Sequence, residues 1–302
     1  MPNTPAVSIV VIVRNGMPYI REAMESLTKQ DCMDFEVIVQ DAASTDGTTE
    51  YLNTVRGLDL HIDSRPDRGQ AHGYNRGFGK ARGRILGTVD ADNWLEPTAI
   101  STAIRVFKEN PSADAFYGSF NTVDEDGKFV EVRRFPRFDR MAIIQNTLVP
   151  PFGAAFFIKE TCAAALVSDE NIKHCQDFGF WLRLSDKRIL QVDDVTTSVR
   201  SSPKSESCNI EFFDKFAFNK LNILDAYLEG SIGYRPLRER LRRMGRSGIY
   251  CWCAESALIL SGEGDYYRKY RDLALQEEPG NPRITAIDIR LRTGHGRTAL
   301  AG

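Results

Sequence analysis

The sequence predicts an α/β fold, with a mostly parallel central sheet, flanking helices and a helical C-terminal region. Three observations carry this. Apolar strand-like runs alternate with helical periodicities over roughly the first hundred residues, a rhythm that implies right-handed crossovers and a parallel sheet. The early runs end on polar or acidic residues, where an open α/β sheet binds its ligands. Strand signals stop near residue 208, so a soft boundary separates 1–208 from 209–302.

Each element has its own warrant. Ser8 to Val13 (SIVVIV) is a run of the kind buried on both faces of a parallel sheet. Pro18 suits a helix first turn, and Ile20, Ala23, Met24 and Leu27 follow at helical spacing. Phe35 to Val39 is a second strand ending in Gln40 and Asp41. Turn and capping residues then lead into a short helix with Tyr51, Leu52 and Val55 inward. Leu58 to Ile62 is a weaker third strand. Gly69 to Arg82 reads as a helix with Ala71, Tyr74, Phe78 and Ala81 on one face and Gly83 as its stop. Ile85 to Val89 runs straight into Asp90-Ala91-Asp92, and Pro97 opens the next helix.

Beyond this point the rhythm changes. Ala115 to Tyr117 is a short strand, and FNTVDEDGKFVEVRR reads as a hairpin with Asp126-Gly127 at its turn. Gly153 to Ile158 is a strand, Phe178 to Leu184 a helix and Ile189 to Val192 a closing strand. From Glu211 onward the pattern is helical, with separate segments at 237–244 and 249–260.

Composition narrows the function. The 302 residues carry 39 basic and 41 acidic side chains, so no whole-surface attraction to nucleic acid is expected. Six cysteines (Cys32, Cys162, Cys175, Cys208, Cys251, Cys253) lack a repeating spacing and read as free thiols of a reducing compartment. The N-terminus lacks the basic region of a signal peptide, and no run reaches the ~18 apolar residues of a membrane span. A cytoplasmic location is expected. Six arginines between Tyr234 and Arg246 read as a solvated helix face or as a peripheral contact with anionic lipid at the inner face of a membrane.

The chemistry-bearing residues gather at strand ends. Arg14-Asn15 follows the first strand, Asp41 ends the second, and Asp90 with Asp92 ends the fourth. Two carboxylates in a loop after a buried strand suit Mg²⁺ or Mn²⁺, which keep substrate phosphates as further ligands. An isolated D-x-D is more often a turn with solvated acids; its placement after ILGTV favours the cation site. Asp41 reads either as a base-binding carboxylate or as a cap of the following turn, and Asp46-Gly47 as turn chemistry. The histidines show no metal-ligand spacing.

SIVVIVRNGMPYIREAMESLTKQ, then FEVIVQDAASTDGT, then DRGQAHGYNRGFGKARGRILGTVDADNWLEP resembles the family-2 inverting glycosyltransferases of the GT-A fold, over about residues 7–205. The segment around Gly69, Asn75 and Gly83 is similar to bacterial members that build surface polysaccharides. The resemblance implies that Val13, Arg14, Asn15 and Asp41 cradle the nucleotide. It implies that Asp67, Arg68, Gln70 and Asn75 approach the donor diphosphate and sugar. Asp90 and Asp92 would hold Mn²⁺ or Mg²⁺, with Asp92 the more direct ligand. HCQDFGFWLRL resembles the late acidic motif and makes Asp177 the catalytic base, with Arg183 paired to a neighbouring acid. Arg200 and Lys204 would either neutralise phosphate or belong to a plain polar surface loop.

Two departures stand out: Asn93 replaces a further Asp of many members, and a histidine usual after Arg200 is missing. The implied partners are a nucleotide-sugar donor, probed first as a UDP-sugar, and a hydroxyl of a glycan or lipid-linked saccharide. Two rival classes remain at this level. A sugar nucleotidyltransferase would want a Gly-rich phosphate loop, and VRNGMPYI offers one Gly there. A non-catalytic nucleotide- or glycan-binding protein on a degenerate transferase fold would bind donor without turnover.

Overall fold

The computed structural model describes residues 4–202 and 209–292. Two compact units emerge, one of Met1–Phe138 with Pro150–Ser201 and one of Asp139–Val149 with Ser202–Gly302.

The first unit holds the sheet. Its strands are β1 (Val7–Val13), β2 (Phe35–Asp41), β3 (Asp59–Ser64), β4 (Ile85–Thr88), β5 (Trp94–Leu95), β6 (Ala115–Val123), β7 (Phe129–Arg133), β8 (Ala155–Ile158) and β9 (Ile189–Arg200). Their order is β3-β2-β1-β4-β8-β6-β9-β5, with β7 paired to β6. β1 runs parallel to β2 and β4, and β3 parallel to β2. β8 lies antiparallel between β4 and β6, so the sheet becomes mixed beyond β4. The chain steps outward from β1 to β3 and then returns to β1's other side with β4. That reversal makes the carboxyl ends of β1 and β4 the switch point where such sheets bind ligands.

Helices α1 (Ile20–Thr28), α2 (Thr48–Leu52), α3 (Gln70–Lys80), α4 (Ala99–Glu109), α5 (Arg140–Ile144), α6 (Lys159–Leu166) and α7 (Gln176–Arg183) follow in chain order. All but α5 belong to this unit. The inward stripe of α1 is the expected one: Ile20, Ala23, Met24 and Leu27 have no exposed surface. β1 and β2 are buried on both faces, as their apolar runs require.

Several expectations are corrected. α3 ends at Lys80, with Ala81 extended, so Gly83 does not cap it. Gly83 is needed for a close approach instead, since a Cβ there would lie 2.7 Å from the Ser8 nitrogen. β6 continues to Val123 and β9 to Arg200, both longer than their apolar cores suggested, because pairing between them carries polar residues along. Arg200 is therefore a strand end and not a loop residue.

The second unit is helical. α8 (Phe213–Ser231) is followed by α9 (Arg235–Ser261), α10 (Asp265–Glu277) and α11 (Pro282–Arg292). The two segments expected at 237–244 and 249–260 are one continuous helix, because Gly245 and Gly248 are packing positions rather than breaks. A Cβ at Gly248 would collide with the Gln145 carbonyl. α5 joins this unit, capped by Asp139, whose carboxylate accepts from the Met141 and Ala142 N–H groups at 2.6 and 3.2 Å. Lys220 donates to Asn146 Oδ1 at 2.9 Å and lies 3.9 Å from the centroid of the Trp252 ring. Cys162, Cys251 and Cys253 are buried free thiols and Cys32 and Cys175 half-buried ones; Cys208 lies outside the described residues.

Candidate active site

The loop after β4 is built around Asp90. Its Oδ1 accepts from the Tyr74 hydroxyl at 3.1 Å and its Oδ2 from the Asn93 amide at 3.1 Å. Burial, helped by the neighbouring charges of Asp92 and Asp177, raises its carboxyl to about 6. Asp92 turns outward and is exposed. Crowding by surrounding chain raises its carboxyl too, opposed by the charge of Arg200.

Asp177 stands in the first turn of α7, half-buried, with Oδ1 accepting the N–H of Phe178 at 2.8 Å. Cys175 immediately before it adopts a left-handed φ of 64°, which turns the chain sharply into the helix. Phe178, Phe180, Trp181 and Leu182 are wholly buried, and Trp181 Nε1 donates to the Pro150 carbonyl at 2.7 Å. The helix that carries Asp177 is therefore rigidly seated. The Tyr74 phenol lies within electrostatic reach of Asp90, Asp177 and Asp92, all of which oppose its ionisation after burial has done so. Three acids from two distant stretches of the chain, 90–92 and 177, share one rim.

The ends of β1 and β2 are laced together beside them. Asn15 has a left-handed φ of 52°; its N–H donates to Ser44 Oγ at 2.7 Å and its Oδ1 accepts from Thr45 N at 2.9 Å. The Asp46 carboxylate accepts from Met17 N at 2.9 Å and from the Thr48 hydroxyl at 2.6 Å, the turn chemistry its sequence suggested. Asp41 is 1% exposed and accepts from the hydroxyls of Ser44, Thr49 and Ser64 at 2.5, 2.8 and 2.5 Å. Its carboxylate is committed to holding this loop, and those bonds keep its pKa low against burial. Val13 is a core residue whose carbonyl accepts from Ala42 N, whereas Arg14 is exposed.

The segment opening α3 is held to the loop before α7. Asn75 donates to the Ser168 carbonyl at 2.9 Å and accepts from Ser168 N at 2.9 Å. Arg68 forms an ion pair with Glu170, and Asp67 accepts from Gly69 N at 2.8 Å. Gln70 is exposed. Arg68 and Asn75, expected to approach the donor, also organise contacts with the loop before α7, where Glu170 is a partner that no sequence signal marked.

Arg200 departs furthest from its expected place. Its side chain is 3% exposed, donating to the Asp92, Asp124 and Glu125 carbonyls and to Glu22, and stacking near Tyr19 and Trp94. It ties the acidic loop to the hairpin and α1 instead of facing a phosphate. Lys204 lies outside the described residues. Among the described residues Arg183 has no acidic partner: it donates to the Ala165 carbonyl and Ser168 hydroxyl, and burial lowers its pKa to about 10.

A group of Glu36, Asp59 and His61 has ligand atoms within 4.8 Å of one another. It lies at the amino ends of β2 and β3, opposite the Asp90 rim, and Arg82 already fills it with bonds to Glu36 and Asp59. A cavity of 570 Å³ lined by Thr4, Pro5, Arg82, Arg84 and Lys159 is also at that far end. The acids at the switch point are the better placed for chemistry.

Residues 8–166 match the family model described as glycosyl transferase family 2. Over 188 residues the chain is 29% identical to a chondroitin synthase of Pasteurella multocida (strain Pm70), covering 60% of this chain and 19% of that protein. The chain thus spans about a fifth of that relative's length. Among solved structures, residues 1–349 of S. aureus TarS in complex with UDP-GlcNAc align with a TM-score of 0.65 at 17% identity, covering 93% of this chain and 83% of that one. The mannosyltransferase PcManGT from Pyrobaculum calidifontis, in complex with GDP-Man and Mn²⁺, aligns at 0.54 and 16% identity, covering 96% and 87%. At such identities the likeness is one of fold.

Proposed function

We propose that this chain, which belongs to glycosyl transferase family 2, moves a sugar from a nucleoside diphosphate donor to a hydroxyl of a glycan or lipid-linked saccharide, with inversion and with a divalent cation. The observation that carries the reading is the convergence of Asp90, Asp92 and Asp177 around Tyr74 at the sheet's switch point.

The donor set fits a hard cation. Asp90 and Asp92 offer carboxylate oxygens, which suit Mg²⁺ or Mn²⁺. Burial first, and then the like charge of Asp92 and Asp177, raises the Asp90 carboxyl, a cost that a bound cation relieves. When bound, such an ion supplies charge neutralisation for a departing diphosphate. Asp177 takes the acceptor proton: a half-buried carboxylate on a rigid helix is suited to hold a hydroxyl in line and accept its proton. Inversion needs no covalent intermediate, so no nucleophilic serine or cysteine is required. The paired loops at 14–17 and 42–48 form the cradle for the base and ribose. A uridine nucleotide is the first donor to test, supported by the UDP-GlcNAc complex of TarS.

Among the described residues no helix is long and apolar enough to cross a membrane. In α9, Arg238, Arg242 and Arg246 are paired with Glu229, Asp225 and other acids. Arg235, Arg240 and Arg243 remain exposed beside exposed Tyr234 and Leu237, and this face supports a peripheral contact with anionic lipid.

The test is a thermal-shift panel of nucleoside diphosphates and their sugars with and without Mn²⁺. At least one nucleotide should stabilise the protein only when metal is present. Asp92→Ala should abolish that stabilisation, and Asp177→Ala should keep it while stopping transfer. Nucleotide binding of equal strength by the Asp92 variant would refute the cation assignment.

A further inference from the structure

Asp90 and Asp92 are held very differently. Asp92 is exposed, whereas each oxygen of Asp90 accepts a bond, from Tyr74 and from Asn93. The orientation of Asn93 follows from its other partner. The Arg200 backbone N–H can only donate, and it meets Asn93 Oδ1 at 2.9 Å, so the amide nitrogen faces Asp90.

Tyr74 has little freedom of its own. Its ring is 6% exposed, stacked on Phe78 at 5.8 Å between centroids and set edge-on to Phe152 and Phe180 at 6.1 and 5.7 Å. Phe152 and Phe180 stack on each other at 4.1 Å. The cluster joins α3, the turn at Phe152–Ala154 and α7. Phenylalanine would fill the same space, so packing does not explain the hydroxyl. A buried hydroxyl costs free energy unless bonded, and this one is directed at Asp90.

We infer that Tyr74 is a positioning residue: its hydroxyl, with the Asn93 amide on the second oxygen, fixes the Asp90 carboxylate so that Asp90 and Asp92 present a pre-set pair of oxygens to a divalent cation. This rests on the cation reading given above. The terminal torsion of an unrestrained Asp is broad. Two donors, one on each oxygen, narrow it and leave acceptor capacity on both. Partners of this kind, one shell out from a metal, change its affinity by about ten- to a hundredfold. Asn at position 93 is then a gain, since Asp there could offer no N–H to Asp90.

The test titrates Mn²⁺ into the full chain with UDP present, read by thermal shift and by Mn²⁺ electron paramagnetic resonance. Wild type, Tyr74→Phe, Asp90→Asn and the double variant form a cycle. Tyr74→Phe keeps the ring contacts, so the metal-free melting temperature should hardly move while half-saturating Mn²⁺ rises about tenfold. In the Asp90→Asn background the same change should cost less than about twofold, because the hydroxyl no longer has a carboxylate to orient. Unchanged Mn²⁺ affinity in Tyr74→Phe, or equal penalties in both backgrounds, overturns the inference. Should Tyr74→Phe fold poorly, Asn93→Ser removes the other donor and completes the same cycle. A wild type that binds no Mn²⁺ overturns the cation reading instead, which keeps the two failures distinct.

Discussion

Arg200 shows how little the type of a side chain fixes its task. A guanidinium near an acidic loop suits phosphate, yet here it is buried, bonded to three carbonyls and Glu22, and flanked by two aromatic rings. Lysine could keep the charge but not the fork of donors. Arg200→Lys should therefore lower stability by about 2 kcal/mol, as buried carbonyls lose their partners. Denaturant midpoints check this, and an unchanged midpoint would mean that the network contributes nothing. Asp90 carries a pH dependence. Its folded-state pKa of about 6 lies above the ordinary 3.8, so without metal it stabilises the fold at low pH, and that contribution is lost as pH rises through about 6. A cation must compete with that proton, so apparent Mn²⁺ affinity should climb as pH rises through about 6 and level off above it. A flat profile from pH 5 to 7 would exclude Asp90 from the site.

Among the elements, α3 does the most to shape the rim. It lies so close to β1 that Gly77 faces Val10 with no room for a Cβ, while Gly79 on the same helix faces open space. Gly77→Ala should destabilise by about 1–3 kcal/mol through overpacking. Gly79→Ala should stabilise by about 0.5–1 kcal/mol, because alanine is the better helix former. Chemical denaturation of both variants gives opposite signs or sinks this account of the helix–strand contact. In α9 half of the arginines of the basic run are neutralised within the helical unit, which the spacing alone could not reveal. Charge reversal at Arg240 and Arg243 should release the chain from vesicles rich in anionic lipid, and co-sedimentation at two salt concentrations would show it. Equal pelleting of the reversed variant would rule out this face.

For the whole molecule, ligand linkage offers a global readout. If nucleotide and cation bind only the folded state, concentrations near a hundred times Kd should add about 2.7 kcal/mol to stability, and chelation should remove it. A chelator-insensitive gain would point to nucleotide binding without metal. The chain's two compact units interleave in sequence, since 139–149 belongs with the C-terminal helices although strands resume after it. No local signal in that short segment announces its allegiance. Its helix is five residues long, and what assigns it is the contact of Gln145 with Gly248 and of Asn146 with Lys220, the latter 74 positions later.

Local sequence alone was enough for the early strands and helices, the switch-point rim and the placing of Asp90 and Asp92 on it. Those features are written in short-range periodicity, and burial on both faces of β1 and β2 leaves few alternatives. Asp177 was singled out only by the resemblance of HCQDFGFWLRL to a family motif. Which polar groups satisfy one another emerged only from the folded arrangement. Asp41 is saturated by three hydroxyls, Arg200 by distant carbonyls and Asn75 by Ser168, while Tyr74, a core position by its spacing, is directed at Asp90. The physical reason is that a hydrogen bond depends on the final positions of both partners, and most of these partners lie far apart along the chain.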